Sequence, residues 1–265
     1  MENLKIKEKG LYELLDSKGE ERLKQKKERM KNLLNIAKPD EALYREIMLA
    51  LGYKKNKVQF LELAMILPYS RIVELRTQPR IEKALLYCAG FTTSKDDLPE
   101  NFDFSLKMEK SVWSYEGVRP PNFPEERIKN ISSFFSESCE KGLFDFFKQR
   151  IEKNYLQNIG RITSVEVVNK IILFRGAGEK RRLEIFFNII LPFYNTYYKT
   201  CGEKRLVKFL NDIYSYHPPL SDNSITRAMK SQFLREKGEY RIINSVKRYM
   251  GLIQLYKETK KGPME

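Results

Sequence analysis

The sequence predicts an all-α fold, a multihelical globular bundle of roughly a dozen helices. Three observations predict it. Apolar residues recur at helical spacing along almost the whole chain. A cap, a helix and a closing glycine follow one another three times between Pro39 and Gly90. Alternating segments are too few to build a sheet. No internal repeat is visible, so a solenoid is not supported.

The elements can be justified in order. Leu11, Leu14 and Leu15 open the apolar pattern, and Ser17 to Gly19 is expected to break it. A charged segment from Glu20 to Ile36 carries a sparse stripe of Leu23, Met30, Leu33 and Leu34. Pro39 and Asp40 supply a break and an N-cap for EALYREIMLALGY, which Gly52 should close in the left-handed conformation. Asn56 is expected to cap KVQFLELAMIL, which stops at Pro68. Thr77 and Pro79 begin RIEKALLYCAG, closed by Gly90. Thr92 to Asp103 reads as a loop, and Phe104 to Tyr115 as a helix.

The stretch GVRPPNFPEERI, Gly117 to Ile128, then places three prolines in a lysine-rich helical chain. Residues before prolines avoid the helical region, so Arg119 and Pro120 are held extended. Pro124 suits a first helical turn, where its missing N–H leaves no bond unmade, and Glu125 and Glu126 suit the positive end of the helix dipole. The segment is a stiff entry into a helix over Arg127 to Ser136, with Arg119 and Asn122 expected to fasten it to neighbouring helix ends. Further on, GLFDFFKQRIEKNY is helical, and SVEVVNKIILF fits either a strand or a buried helix. RGAGEKRR precedes a strongly apolar helix that Pro192 should interrupt. CGEKRLVKFLNDIYSY ends at His217-Pro218-Pro219, Asp222 or Ser221 should cap SITRAMKSQFL, and NSVKRYMGLIQLYKETK forms a basic, aromatic terminal helix. We expect one α-helical domain over residues 1–265, with 117–124 as the place where two lobes would meet.

Forty-nine basic against thirty-five acidic residues give a net charge of +14. The excess lies at the chain's ends: residues 1–60 hold 15 basic and 10 acidic side chains, 61–170 hold 16 of each, and 171–265 hold 18 and 9. A basic surface concentrates polyanions, whereas a solvated lysine-rich surface serves solubility, and both readings stand. No window is apolar enough for a membrane span, so no membrane partner is expected. Cys88, Cys139 and Cys201 are odd in number, widely spaced and on apolar patterns, which reads as buried free thiols in a cytoplasmic protein.

Familiar chemistry is mostly missing. Three scattered cysteines and a single histidine do not make a zinc site, and neither metal nor cofactor is expected. His217, beside two prolines, reads as a helix terminator or surface residue and not as a triad member. No catalytic residue can be named. RGAGEKRR lacks the Walker and dinucleotide fingerprints, which leaves a phosphate-backbone contact by Lys180, Arg181 and Arg182 against a plain turn and solvated helix face. KRYMGLIQLYK interleaves basic and aromatic residues, so Lys247 and Arg248 join the candidates; its apolar positions look like core.

Four blocks occur in order: LYREIMLALGYKKNKVQFLELAMILP (residues 43–68), GVRPPNFPEERI (117–128), FFNIILPF (186–193) and GLIQLYKE (251–258). Together they resemble the domain of unknown function 2851 family of bacterial proteins, and its helical carboxy-terminal region in particular. The resemblance singles out Gly52, Tyr53, Asn56, Arg119, Pro120, Asn122, Phe123, Pro124, Asn188 and Pro192. Pro121 stands where a small residue is more usual, and the Thr92–Asp103 loop is short for the family. The resemblance also implies that longer members continue on the amino side with a region rich in Glu, His and Trp; it carries no activity.

Three functional readings follow. The first is a nucleic-acid-binding module using Arg119, Lys180, Arg181, Arg182, Lys247 and Arg248 as phosphate contacts. The second is a protein-interaction or scaffold domain serving a separately encoded catalytic partner. The third is an enzyme that clamps substrate with Arg119 and Asn122.

Overall fold

The computed structural model describes residues 2–53, 55–100, 102, 105–158, 164–174, 176–234 and 237–261. Among them there is no strand. The α-helices are α1 (Glu2–Ile36), α2 (Pro39–Leu51), α3 (Lys57–Ile66), α4 (Tyr69–Leu75), α5 (Gln78–Cys88), α6 (Pro124–Ser138) and α7 (Leu143–Gln157), then α8 (Ser164–Ile171), α9 (Glu179–Ile185), α10 (Leu191–Thr200), α11 (Lys204–Tyr216), α12 (Ser224–Phe233) and α13 (Val246–Lys261). A π turn, Phe186–Ile190, joins α9 to α10 without a break, so the described residues form an all-α fold of twelve helical rods. Of SVEVVNKIILF, Ser164–Ile171 is thereby helical, as α8, and the last three residues leave the helix.

The chain divides into two compact units. The first comprises Met1–Asn32, Asn154–Lys170 and Phe186–Glu265; the second comprises Leu33–Lys153 and Ile171–Ile185. The proline-rich stretch 117–124 lies wholly within the second.

In the second unit α2 packs on α3, and α5 on α6. Tyr44 is fully buried at the centre: its hydroxyl donates to the Leu67 carbonyl at 2.9 Å, and its ring lies 5.1 Å edge-on from Phe135. Phe134 meets Phe146, Phe147 and Phe174. Burying each such ring contributes about 1.5–3 kcal/mol. Three local expectations are corrected here. Gly52 is right-handed at φ −68°, and Tyr53 takes the left-handed place at φ 51°. Gly52 is needed for close approach, since a Cβ would lie 2.3 Å from the Asn56 carbonyl oxygen. Asn56 stands at the N-cap of α3 without capping it; its fully buried amide instead donates to the Ser114 carbonyl and accepts from the Ser114 N–H, both at 2.8 Å. Asp40 accepts from the Phe144 N–H at 2.8 Å, and so caps α7 and not α2.

The expected helix over 104–115 is reduced to one 3-10 turn, Lys110–Val112; Phe104 itself lies outside the described residues. Tertiary bonds hold this segment non-helical, with Met108 N–H donating to the Cys88 carbonyl at 2.7 Å and the Trp113 indole N–H to Ala89 at 2.8 Å. Arg119 is extended as expected, but Pro120 is not: it opens a 3-10 turn, Pro120–Asn122, that leads into α6. Arg119 and Asn122 do not fasten it. Their side chains are exposed and make no hydrogen bond among the described residues; the fastening comes from Tyr115, which packs edge-on against Phe123 and donates to Glu125 at 3.1 Å.

In the first unit α10 packs on α11, and α13 on α11 and α12. Gly19 does not break α1. It lets α13 approach, because a Cβ there would lie 2.3 Å from the Lys247 carbonyl oxygen. Gly251 on α13 does the same, with Leu15 O at 2.1 Å from its Cβ position, and the Tyr214 hydroxyl donates to Gly19 O at 2.9 Å. Pro192 does not interrupt its helix either. A proline cannot donate to the carbonyl four residues back and its ring clashes there. The clash falls on residue 188, inside the π turn, and that widening lets the helix run through the proline. Asn223, and not Asp222 or Ser221, caps α12, in a reciprocal box with Thr226. His217 ends α11 but is buried, 4.9 Å edge-on from Phe187, so it is not a surface residue. Of the cysteines, Cys88 is buried, Cys139 half-buried and Cys201 exposed; a turn at the end of α10 places Cys201 in solvent.

Candidate functional site

In the second unit, the end of α2 gathers two arginines. Arg127 occupies the buried stripe of α6 with Pro124, Ile128 and Ile131, and Arg181 comes from α9. Arg127 donates to the Leu51 carbonyl at 2.7 Å and Arg181 to the Ala50 carbonyl at 3.4 Å. These carbonyls belong to the last turn of α2, where the helix dipole is negative and cations are favoured. The two guanidinium carbons stand 3.9 and 3.4 Å from the centroid of the Tyr53 ring, within cation–π range. Tyr53 remains 37% exposed, while Arg127 is only 7% exposed. The Nε atoms of Arg127, Arg181 and Arg182 are buried without a hydrogen-bond partner. Burial, with the Arg181 charge nearby, pulls the Arg127 guanidinium down to about 10. Glu184 pairs with Arg181 at 2.8 Å; Arg127 has no carboxylate partner among the described residues.

In the first unit, α1 carries a second unpaired set. Arg22, 9% exposed, donates to Asn188 Oδ1 at 3.5 Å, and its Nε has no partner. Burial holds its guanidinium below the ordinary value. Lys27 donates to Asn195 Oδ1 at 3.3 Å, and Asn195 donates in turn to Asn211 at 2.7 Å. Burial, then the positive charge of Lys199, lowers the Lys27 ammonium. Neither Arg22 nor Lys27 has a carboxylate partner among the described residues.

The residues singled out from sequence separate into free and engaged groups. Arg119 and Lys180 are exposed. Arg181 is held as described, and Arg182 donates to the Phe174 carbonyl at 3.2 Å. Lys247 pairs with Glu20 at 2.5 Å; Arg248 grips both oxygens of Asp16 at 3.0 Å and stacks 4.3 Å from the Tyr12 ring. Gly52, Tyr53 and Arg181 come together in the second unit, whereas Asn188 and Pro192 serve the π turn in the first. Sequence reasoning missed Arg127, Arg22, Lys27 and Lys199. For the two arginines a signal was present: each sits on an otherwise apolar helical stripe, Arg22 among Leu15, Gly19, Leu23 and Met30. Among the described residues, no group of three or more His, Cys, Asp or Glu is placed to hold a metal ion. None of their helices is long and apolar enough to cross a membrane.

Residues 2–170 match the family model described as Protein of unknown function (DUF2851). The chain belongs to that family. In this DUF2851 protein Arg22, Tyr53 and Arg127 fall inside the matched span, while Arg181, Asn188 and Pro192 lie beyond it. No curated protein and no solved structure matches the chain.

Proposed function

We propose that this protein binds polyanions, the phosphate backbone of nucleic acid foremost, through its first unit. That unit's residues carry 26 basic and 15 acidic side chains, against 23 and 20 in the second, so most of the +14 belongs to it. One observation carries the reading: Lys27, Lys199, Lys204 and Arg205 gather around the turn from α10 to α11 with no ion pair among the described residues. Lys204 and Arg205 stand in the first turn of α11, the end at which a helix dipole disfavours cations and favours anions. Glu203 shares the turn but makes no ion pair among the described residues. Of the sequence candidates, Arg119 and Lys180 remain available to a polyanion, while Arg181, Arg182, Lys247 and Arg248 are engaged within the chain.

The test is fluorescence anisotropy with labelled single- and double-stranded DNA and RNA across a salt series. Log affinity should fall linearly with log salt, by about 0.7–0.9 per phosphate neutralised. Lys199→Glu, Lys204→Glu and Arg205→Glu together should flatten that slope by about 2–3. An unchanged slope, or no binding at low salt, refutes the reading.

A second reading, a protein-interaction domain partnering a separately encoded catalytic protein, is favoured by α3. Val58 and Met65 project into solvent from a helix whose other face is core, beside exposed Val112, whose carbonyl accepts from Gln59. It predicts indifference to nucleic acid.

A further inference from the structure

We infer that Tyr53, Arg127 and Arg181 form a clamp for a phosphoryl group in the second unit. The two guanidinium carbons are within 3.9 and 3.4 Å of one ring centroid, so at most 7.3 Å, the sum of those distances, separates them. At those distances the two groups take opposite faces of the ring, so a phosphoryl group reaches both past the ring's edge, through their outward N–H donors. Each guanidinium has five N–H donors. The α2 carbonyls take one from each, and Glu184 shares the Arg181 Nη1. Arg127 is more than nine-tenths buried with its Nε unpartnered, and no carboxylate faces it among the described residues. The exposed Tyr53 phenol is a further donor at the same place, and its left-handed backbone fixes the ring between α2 and α3. A buried cation of this kind is stabilised by an anion that brings acceptors for its idle N–H groups. A single carboxylate on the pair is already supplied by Glu184. The remaining positive charge suits a phosphate monoester or phosphodiester.

This site is independent of the cations at the α10–α11 turn. Its test is thermal unfolding of the full chain with inorganic phosphate against acetate at equal ionic strength, followed by phosphorus NMR titration. Phosphate should raise the melting temperature saturably and acetate should not. Arg181→Gln and Tyr53→Phe, both on the accessible side of the cluster, should each weaken phosphate binding, the former by about tenfold or more. Competition with 5′-phosphorylated and 5′-hydroxyl oligonucleotides separates the sources: displacement only by the former assigns a terminal monoester, and equal displacement assigns the backbone. Equal shifts with phosphate and acetate, or wild-type phosphate affinity in both folded variants, overturns the clamp. The α10–α11 charge reversals should leave phosphate binding intact, so the clamp can fail while the polyanion reading stands, and the reverse.

Discussion

Gly19→Ala should destabilise the protein although it places a better helix former in the middle of α1. Intrinsic propensity favours alanine by about 1 kcal/mol in a helix interior. Against that, the new methyl carbon would lie 2.3 Å from the Lys247 carbonyl oxygen and 2.9 Å from the Lys247 Cγ. Ordinary contact begins at 3.4 Å, so the α1 and α13 backbones must part by about 1 Å there. The obstructing oxygen is backbone and has no rotamer through which to yield. Parting the helices also strains the Tyr214 hydrogen bond to Gly19 O. Overpacking of this kind costs about 1–3 kcal/mol, which leaves a net loss of up to about 2 kcal/mol after the propensity gain. The control is on the same helix: a methyl at Gly10 meets nothing within 4 Å, so Gly10→Ala should stabilise by about 0.5–1 kcal/mol. Urea unfolding, with the slope unchanged, should separate the two variants by about 1–3 kcal/mol. Equal midpoints would refute the close crossing.

The remaining predictions concern titration and reactivity. His217 is the chain's one histidine, buried, with Nδ1 2.7 Å from the Pro218 carbonyl oxygen and Nε2 unpartnered. Burial lowers its pKa from the usual 6.5, so the unfolded chain binds the proton more tightly and the folded state loses stability as pH falls below that value. The single imidazole proton signal should titrate below 6.5, and His217→Phe should reduce the acid-side loss of stability; titration at or above 6.5 refutes the burial argument. In the native protein a thiol reagent should modify exposed Cys201 rapidly and leave Cys88 and Cys139 until unfolding. Burial pushes the Cys139 thiol up to about 11, and its Sγ donates to the Phe135 carbonyl at 3.1 Å, so a fast second equivalent would contradict the structure.

The all-α class was legible because helix periodicity is a local property that survives tertiary packing. Prolines and glycines were harder to read, because each has two meanings. Gly19 and Pro192 look like breakers on local grounds. Gly19 instead permits a crossing by a helix remote in sequence, and Pro192 is absorbed by the π turn just before it. Caps failed for a related reason. Asn56 and Asp40 have the right residue type in the right place, but partners 58 and 104 residues away, Ser114 and Phe144, take their side chains. Of the candidate site, Tyr53 was legible through the family block and Arg181 through its basic run. Their meeting with Arg127 was not, since it requires the ends of α2, α6 and α9 to converge.

The buried arginines bear on both functional proposals. An arginine on an apolar stripe is poorly placed for stability alone, since well-packed apolar residues of similar volume are often neutral or better at such positions. Arg127 is partly compensated by the α2 carbonyls and the Tyr53 ring, and Arg22 by Asn188 inside the π turn. In neither case does the compensation extend to Nε. Each unit therefore holds positive charge that its own fold leaves incompletely neutralised. On both proposals an anion would supply what is missing, by adding acceptors and by offsetting the burial and the like charge that lower Arg127 beside Arg181 and Lys27 beside Lys199. Apolar replacement distinguishes this from a purely structural role. If Arg22→Met leaves stability unchanged or raised while weakening polyanion binding, the residue is retained for the ligand; if it unfolds the protein, the Asn188 contact and the π turn are what it serves.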